Sequence, residues 1–143
     1  MSGAVEILLV EDSPYDAELT TRELEANNLA GHLAWVKDGA AALELLASLG
    51  ARLPKLVVLD LNLPKMDGLS VLSAIRGDPS LRRVPVVILS SSREESVIAK
   101  VYALGANSYV IKPVQFTDFI RTVASLGLYW LHTNQTALVV EPG

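Results

Sequence analysis

Three stretches of the chain, Val5 to Val10, Leu56 to Leu59 and Val84 to Leu89, are nearly unbroken runs of apolar residues. Such runs lack the alternation of a half-exposed strand and read as strands buried on both faces of a sheet. Leu33 to Val36 and Asn107 to Ile111 read as two shorter strands. Between the strands the apolar residues recur at helical spacing. Ser13-Pro14 is a cap followed by proline at the first helical position, with Asp16 and Glu18 in a first turn that favours acids, and this helix runs to about Asn27. A second helix spans Ala40 to Leu49 and stops at Gly50. A third runs from Gly68 to Arg76 and is closed by Gly77-Asp78-Pro79. A fourth runs from Arg93 to Leu104 with Gly105 as its stop, and a fifth starts near Phe116 and extends to about Leu131. Five strands alternating with five helices through short loops predict an α/β fold, a doubly wound parallel sheet covered on both sides. In such sheets ligands bind beyond the carboxyl ends of the strands.

Those ends carry the chemistry. The first run ends in Glu11 and Asp12, the third strand in Asp60, the fourth in Ser90 and the fifth in Lys112-Pro113. In a parallel sheet these residues collect at one edge as three carboxylates, a hydroxyl and an ammonium. Three negative charges in one pocket cannot all ionise unless something offsets them. Lys112 offsets one, and a hard dication such as Mg²⁺, which favours oxygen ligands, offsets the other two. A phosphoryl group on Asp60 would then bring roughly one and a half to two further negative charges to a place where a metal and Lys112 can meet its oxygens.

Composition narrows the field of functions. At 143 residues the chain is about one ordinary domain. Half of it is hydrophobic, but the apolar runs are far shorter than a membrane span, and no basic stretch precedes an apolar one at the N-terminus. The expectation is a cytoplasmic protein with no membrane partner. The absence of cysteine excludes disulfides and thiolate chemistry. A net charge of −4 without a clustered basic patch argues against nucleic acid as a partner.

With these motifs in place the chain resembles the receiver domain of two-component response regulators. The resemblance rests on Glu11-Asp12, on Asp60-Leu-Asn62-Leu-Pro64-Lys-Met-Asp-Gly68, on Ser90 and on Lys112-Pro113, and it covers about Val5 to Trp130. It implies a flavodoxin-like strand order of 2-1-3-4-5, a receiver domain over residues 1–132 and a C-terminal tail over residues 133–143. It implies that Asp60 accepts a phosphoryl group from a sensor histidine kinase. Glu11, Asp12, Asp60 and the backbone carbonyl of Asn62 would hold Mg²⁺. Lys112, Ser90 and Ser91 would bind the phosphoryl oxygens, and Tyr109 would swing inward as Ser90 moves. The family more often has threonine in place of Ser90, and the missing methyl leaves the hydroxyl rotamer freer. Asn62 and Ser92 stand where the family tunes phosphoryl lifetime. The segment Ser13 to Leu19 and the end Leu128 to Leu131 are similar to stand-alone receivers paired with bacterial phytochrome-type histidine kinases.

Each residue also has a plainer reading. Glu11, Asp12 and Ser13 could cap a helix, the serines could form a turn, Lys112 could be solvated and Tyr109 could be core. Asp60 is harder to set aside, since a charge ending an apolar strand needs partners. The coincidence of chemical types at four strand ends favours the site. A flavodoxin-like electron carrier fails because Glu11-Asp12 would repel a flavin phosphate. An aspartyl phosphatase is weakened because Asn62 stands where a second acid is expected.

The last helix carries an apolar surplus. Phe116, Phe119, Ile120, Val123 and Ala124 form a stripe for the core, and Leu126, Leu128, Tyr129, Trp130 and Leu131 crowd other faces. That surplus predicts a homodimer whose interface includes Phe119, Tyr129 and Trp130. Burial of these groups by the tail's own Ala137 to Val140 is the alternative.

Overall fold

The structure is a computed structural model and describes residues 5–29 and 32–135. Five strands, β1 (Ile7–Val10), β2 (Leu33–Val36), β3 (Leu56–Leu59), β4 (Val86–Ser90) and β5 (Ser108–Ile111), pair in parallel in the order β2-β1-β3-β4-β5. Every residue of β1, β3 and β4 is buried, whereas the edge strands β2 and β5 are only partly covered. This is the expected doubly wound sheet, and the unbroken apolar runs are its three inner strands.

Alternate strand residues point to opposite faces, and each face has its own helices. Leu8, Val10, Val57, Leu59, Val86 and Ile88 pack with residues of α2 (Gly39–Leu49), α3 (Gly68–Gly77) and α4 (Glu95–Ala103). Ile7, Leu9, Leu56, Val58, Val87 and Leu89 pack with α1 (Pro14–Ala26) and α5 (Phe116–Leu128). Covering a side chain the size of Phe119 in this way contributes about 1.5–3 kcal/mol.

The helix starts follow their caps. Ser13 Oγ accepts from the Asp16 amide at 3.2 Å, Asp38 Oδ1 from Ala41 at 2.8 Å and Asp67 Oδ1 from Ser70 at 2.8 Å. Helix α4 begins two residues later than the pattern predicts. Ser90 Oγ accepts from the Ser92 amide and Ser92 Oγ from the Glu94 amide, both at 3.3 Å. These side chains give the backbone an alternative to helix, which keeps residues 91–94 in a turn. The predicted strand starts also move inward, from Val5 to Ile7 and from Val84 to Val86.

The C-terminal helix departs most from expectation. Helix α5 ends at Leu128 and passes into a π-helical turn, Tyr129–Thr133, in which the Asn134 amide donates to the Tyr129 carbonyl at 2.6 Å. Trp130 and Leu131 both pack against the α1/α5 side of the core. Phe119 is only 5% exposed and belongs to that core, so it cannot serve the predicted interface. Phe116, predicted to lie in the core stripe, is exposed because it sits in the first turn of α5, beyond the edge of the sheet-facing row that starts at Phe119. The exposed apolar groups of this region are Phe116, Leu128 and Tyr129. The predicted covering segment, Ala137 to Val140, lies outside the described residues. No helix among the described residues is long and apolar enough to cross a membrane.

Candidate functional site

Strand register brings the predicted residues together. Val10 pairs with Leu59, and the ladder continues one step further as the Asp60 amide donates to the Val10 carbonyl at 3.0 Å. Glu11 donates its amide to Val36 of β2 at 3.1 Å, and Lys112 donates its amide to Ser90 at 2.8 Å. Glu11, Asp60, Ser90 and Lys112 therefore stand at the same edge of the sheet. Carboxylate oxygens of Glu11, Asp12 and Asp60 lie within 4.8 Å of one another. Glu11 and Asp60 are buried and Asp12 is exposed, so the cluster opens to solvent on the Asp12 side.

Lys112 spans the cluster. Its Nζ is 2.8 Å from Glu11 Oε1, 2.9 Å from Asp16 Oδ2 and 3.2 Å from Asp60 Oδ2. The other Asp60 oxygen, Oδ1, accepts from the Asn62 amide at 3.2 Å. Asp16 is the residue that sequence reasoning missed here, having been read only as an acid suited to the first turn of α1. Its separation of 96 residues from Lys112 leaves no local signal. A weaker cue was available, since a buried lysine at a strand end needs more than one acceptor.

The charges do not balance. Glu11, Asp12, Asp16 and Asp60 face one ammonium, which leaves three negative charges unmatched, and a dication would still leave one. The near-zero balance predicted from sequence omitted Asp16. Burial pushes the Glu11 carboxyl up to about 7; the Asp60 charge adds to this, while Lys112 and the Ser13 amide oppose it. Burial would by itself lower the Lys112 ammonium, but its bonds to Glu11 and Asp16 and the charge of Asp60 hold it above the usual lysine value. The ammonium is held by its acid partners, and Glu11, the most buried acid, is pushed toward its protonated form first by burial and then by the neighbouring Asp60 charge. An all-oxygen donor set with excess negative charge suits a hard divalent cation.

The neighbouring elements hold these groups in place. The loop from Leu61 to Asp67 folds back under Asp60, with the Gly68 amide donating to the Leu61 carbonyl at 2.9 Å. A Cβ on Gly68 would meet the Asp60 carbonyl oxygen at 2.5 Å and Leu61 Cα at 2.6 Å, so only glycine permits this close approach. Trp35 Nε1 donates to the Glu11 carbonyl at 2.7 Å, a second contact absent from the predicted site. Ser90 is fully buried, whereas Ser91 is exposed. Tyr109 is half-buried against the α2/α3/α4 core, and its hydroxyl donates to the Ser92 carbonyl at 2.8 Å. Tyr129 and Trp130, stacked edge to face at 5.1 Å, follow α5 in the π-helical turn and are not part of this cluster.

The family described as response regulator receiver domain matches residues 7–124. The probable methanogenesis regulatory protein FilR2 of Methanothrix harundinacea is 43% identical over 91% of this chain and 86% of its own length. Response regulator Rcp1 of Synechocystis sp. is 38% identical over 89% of each chain. The crystal structure of a phosphorylated cyanobacterial phytochrome response regulator, RcpA, superposes with a TM-score of 0.86 at 36% identity, covering 93% of this chain and 98% of that one. The Mn(2+)-bound form of response regulator Rcp1 superposes with a TM-score of 0.84 at 37% identity over 92% and 97%.

Proposed function

Since the chain belongs to the response regulator receiver family, we propose that its receiver domain accepts a phosphoryl group on Asp60 from a histidine kinase in a Mg²⁺-dependent reaction. One observation carries the reading. Asp60 is only 6% exposed, ends the central strand β3, and is held by Lys112 on one oxygen and by the Asn62 amide on the other. A carboxylate buried beside other acids is costly even when paired, and the cost is one that phosphoryl acceptance would explain.

In this reading an Asp60 oxygen attacks the phosphorus of a phosphohistidine. A P–O bond forms as the P–N bond breaks, and the electron pair stays on the departing imidazole nitrogen. Glu11, Asp12, Asp60 and the Asn62 carbonyl would hold the Mg²⁺, which supplies charge neutralisation at the phosphoryl oxygens. Lys112 pairs with a phosphoryl oxygen. Ser90 offers its hydroxyl to another, and the turn at Ser91 and Ser92 follows, drawing in Tyr109, whose hydroxyl is bonded to that turn. Catalysis here is of the protein's own modification, so the product is a signalling state of the same chain. The likeness to a phytochrome response regulator supports a phytochrome-type kinase as the donor.

The test is incubation with acetyl phosphate or a candidate kinase, with and without chelator, followed by detection of hydroxylamine-labile label. Wild type should be labelled only with Mg²⁺, and Asp60→Asn should take up none. Label on Asp60→Asn, or equal labelling in chelator, rules the reading out.

Self-association belongs to the same proposal in a narrower form than the sequence suggested. Leu128 and Tyr129 are 55% and 49% exposed at the end of α5, and they support a homodimer contact there.

A further inference from the structure

Three carboxylate oxygens lie within 3.2 Å of Lys112 Nζ, and one of them stands apart from the others. Glu11 and Asp60 belong to the group of acids whose oxygens converge within 4.8 Å; Asp16 does not. Asp16 comes instead from α1, where its own amide is fixed by the Ser13 hydroxyl. Its carboxylate is thus carried on a helix turn that is capped directly beneath it, and its side chain is 28% exposed against 13% for Lys112.

We propose that Asp16 is a positioning residue for phosphoryl transfer, holding the Lys112 ammonium over Asp60 while Glu11 and Asp60 are engaged elsewhere. This rests on the reading of Asp60 as the phosphoryl acceptor. An ammonium has three donors on a flexible four-carbon stem, and it loses rotamer freedom when it is fixed. If Glu11 faces a cation and Asp60 carries a phosphoryl group, two of the three present partners change. The bond to Asp16 is the one that can persist. It leaves the two remaining N–H groups directed at the site, where phosphoryl oxygens replace the carboxylates.

Two plainer roles make opposite forecasts. As a helix-dipole acid, Asp16 would affect stability slightly and leave the chemistry alone. As an unmatched negative charge, it would repel an incoming anionic donor, and its removal would speed phosphorylation.

The experiment compares wild type with Asp16→Ala, Asp16→Glu and the control Glu18→Ala, a residue on α1 paired with Arg22 at the surface. Three quantities are read: the phosphorylation rate from acetyl phosphate, Mg²⁺ affinity without phosphodonor, and the side-chain ammonium resonance of Lys112 by nuclear magnetic resonance. Loss of one charge-assisted bond should slow phosphorylation of Asp16→Ala about tenfold. Asp16→Glu should recover part of that rate, and Glu18→Ala should match wild type. Mg²⁺ affinity of Asp16→Ala should fall by no more than about twofold, the screened effect of losing one nearby negative charge, because Asp16 is not a ligand. With Mg²⁺ bound, so that Glu11 faces the cation, the Lys112 ammonium signal should persist in wild type and broaden away in Asp16→Ala. A rate equal to or above wild type overturns the proposal, as does a parallel loss of Mg²⁺ affinity or an unchanged ammonium signal. Wild type that is never phosphorylated would sink the acceptor reading alone, since the ammonium signal still reports whether Asp16 holds Lys112. Should Asp16→Ala fail to fold, Asp16→Asn takes its place: a slowed rate with a broadened ammonium signal supports the hold, and an unchanged rate or signal refutes it.

Discussion

Raising the pH of the metal-free protein from about 5 to about 7.5 should lower its stability, against the usual trend for a protein rich in carboxylates. The cause is Glu11. Its carboxyl is pushed from 4.5 up to about 7 by burial and by Asp60, so the folded state holds a proton that the unfolded state has released. Stability from this group is fully present below the unfolded value and is lost as pH rises through the folded one. The rise from 4.5 to about 7 corresponds to a ceiling of about 3.5 kcal/mol at roughly 1.4 kcal/mol for each tenfold change in proton affinity. That is a large part of the 5–15 kcal/mol typical of a domain. Urea unfolding at half-unit pH steps in chelator should show the fall, and saturating Mg²⁺ should flatten it, because a bound dication supplies the charge the proton had supplied. Glu11→Gln should lose the slope in chelator. If metal-free stability is flat or rises between about pH 5.5 and 7.5 while the protein remains two-state, the electrostatic account of this cluster is wrong.

Asp12→Asn removes one of the crowded charges at an exposed position, so without metal it should melt at an equal or higher temperature than wild type and gain less from Mg²⁺ in a thermal scan. Gly68→Ala would press a methyl against the Asp60 carbonyl at 2.5 Å, and should cost about 1–3 kcal/mol in urea unfolding while also displacing the loop beside Asp60; an unperturbed midpoint and phosphorylation rate would remove the packing argument. Ser90→Ala should keep much of its phosphorylation but lose the resonance changes at Tyr109 on adding beryllofluoride, and identical changes in both proteins would end the Ser90–Tyr109 coupling. Sedimentation at micromolar concentration should show a dimer that Tyr129→Ala or Leu128→Ser weakens, with or without beryllofluoride, and a wild-type monomer in both conditions would return the α5 surface to chance exposure.

What the sequence determined by itself is the scaffold and the type of chemistry at its edge. The runs Ile7–Val10, Leu56–Leu59 and Val86–Ser90 lack alternation because both faces of the inner strands are covered, and this is a local property of the chain. A parallel sheet puts all carboxyl ends on one side, so Glu11, Asp60 and Lys112 could be assigned to one pocket before any distance was known. Tertiary structure decided the matters in which residues far apart, or on one helix at nearly the same phase, compete for the same surroundings. Asp16 reaches Lys112 across 96 residues, and nothing in the local pattern distinguishes it from an ordinary helix-start acid. Phe116 and Phe119 are three positions apart on α5, close enough in helical phase that periodicity admits both to one stripe, yet one is 53% exposed and the other 5%. Trp130 likewise reads as surplus until the π-helical turn brings it against the α1/α5 core. Periodicity records which residues can be buried together; which of them meet the core depends on where the helix lies against the sheet, and that is set by the packing of the whole chain.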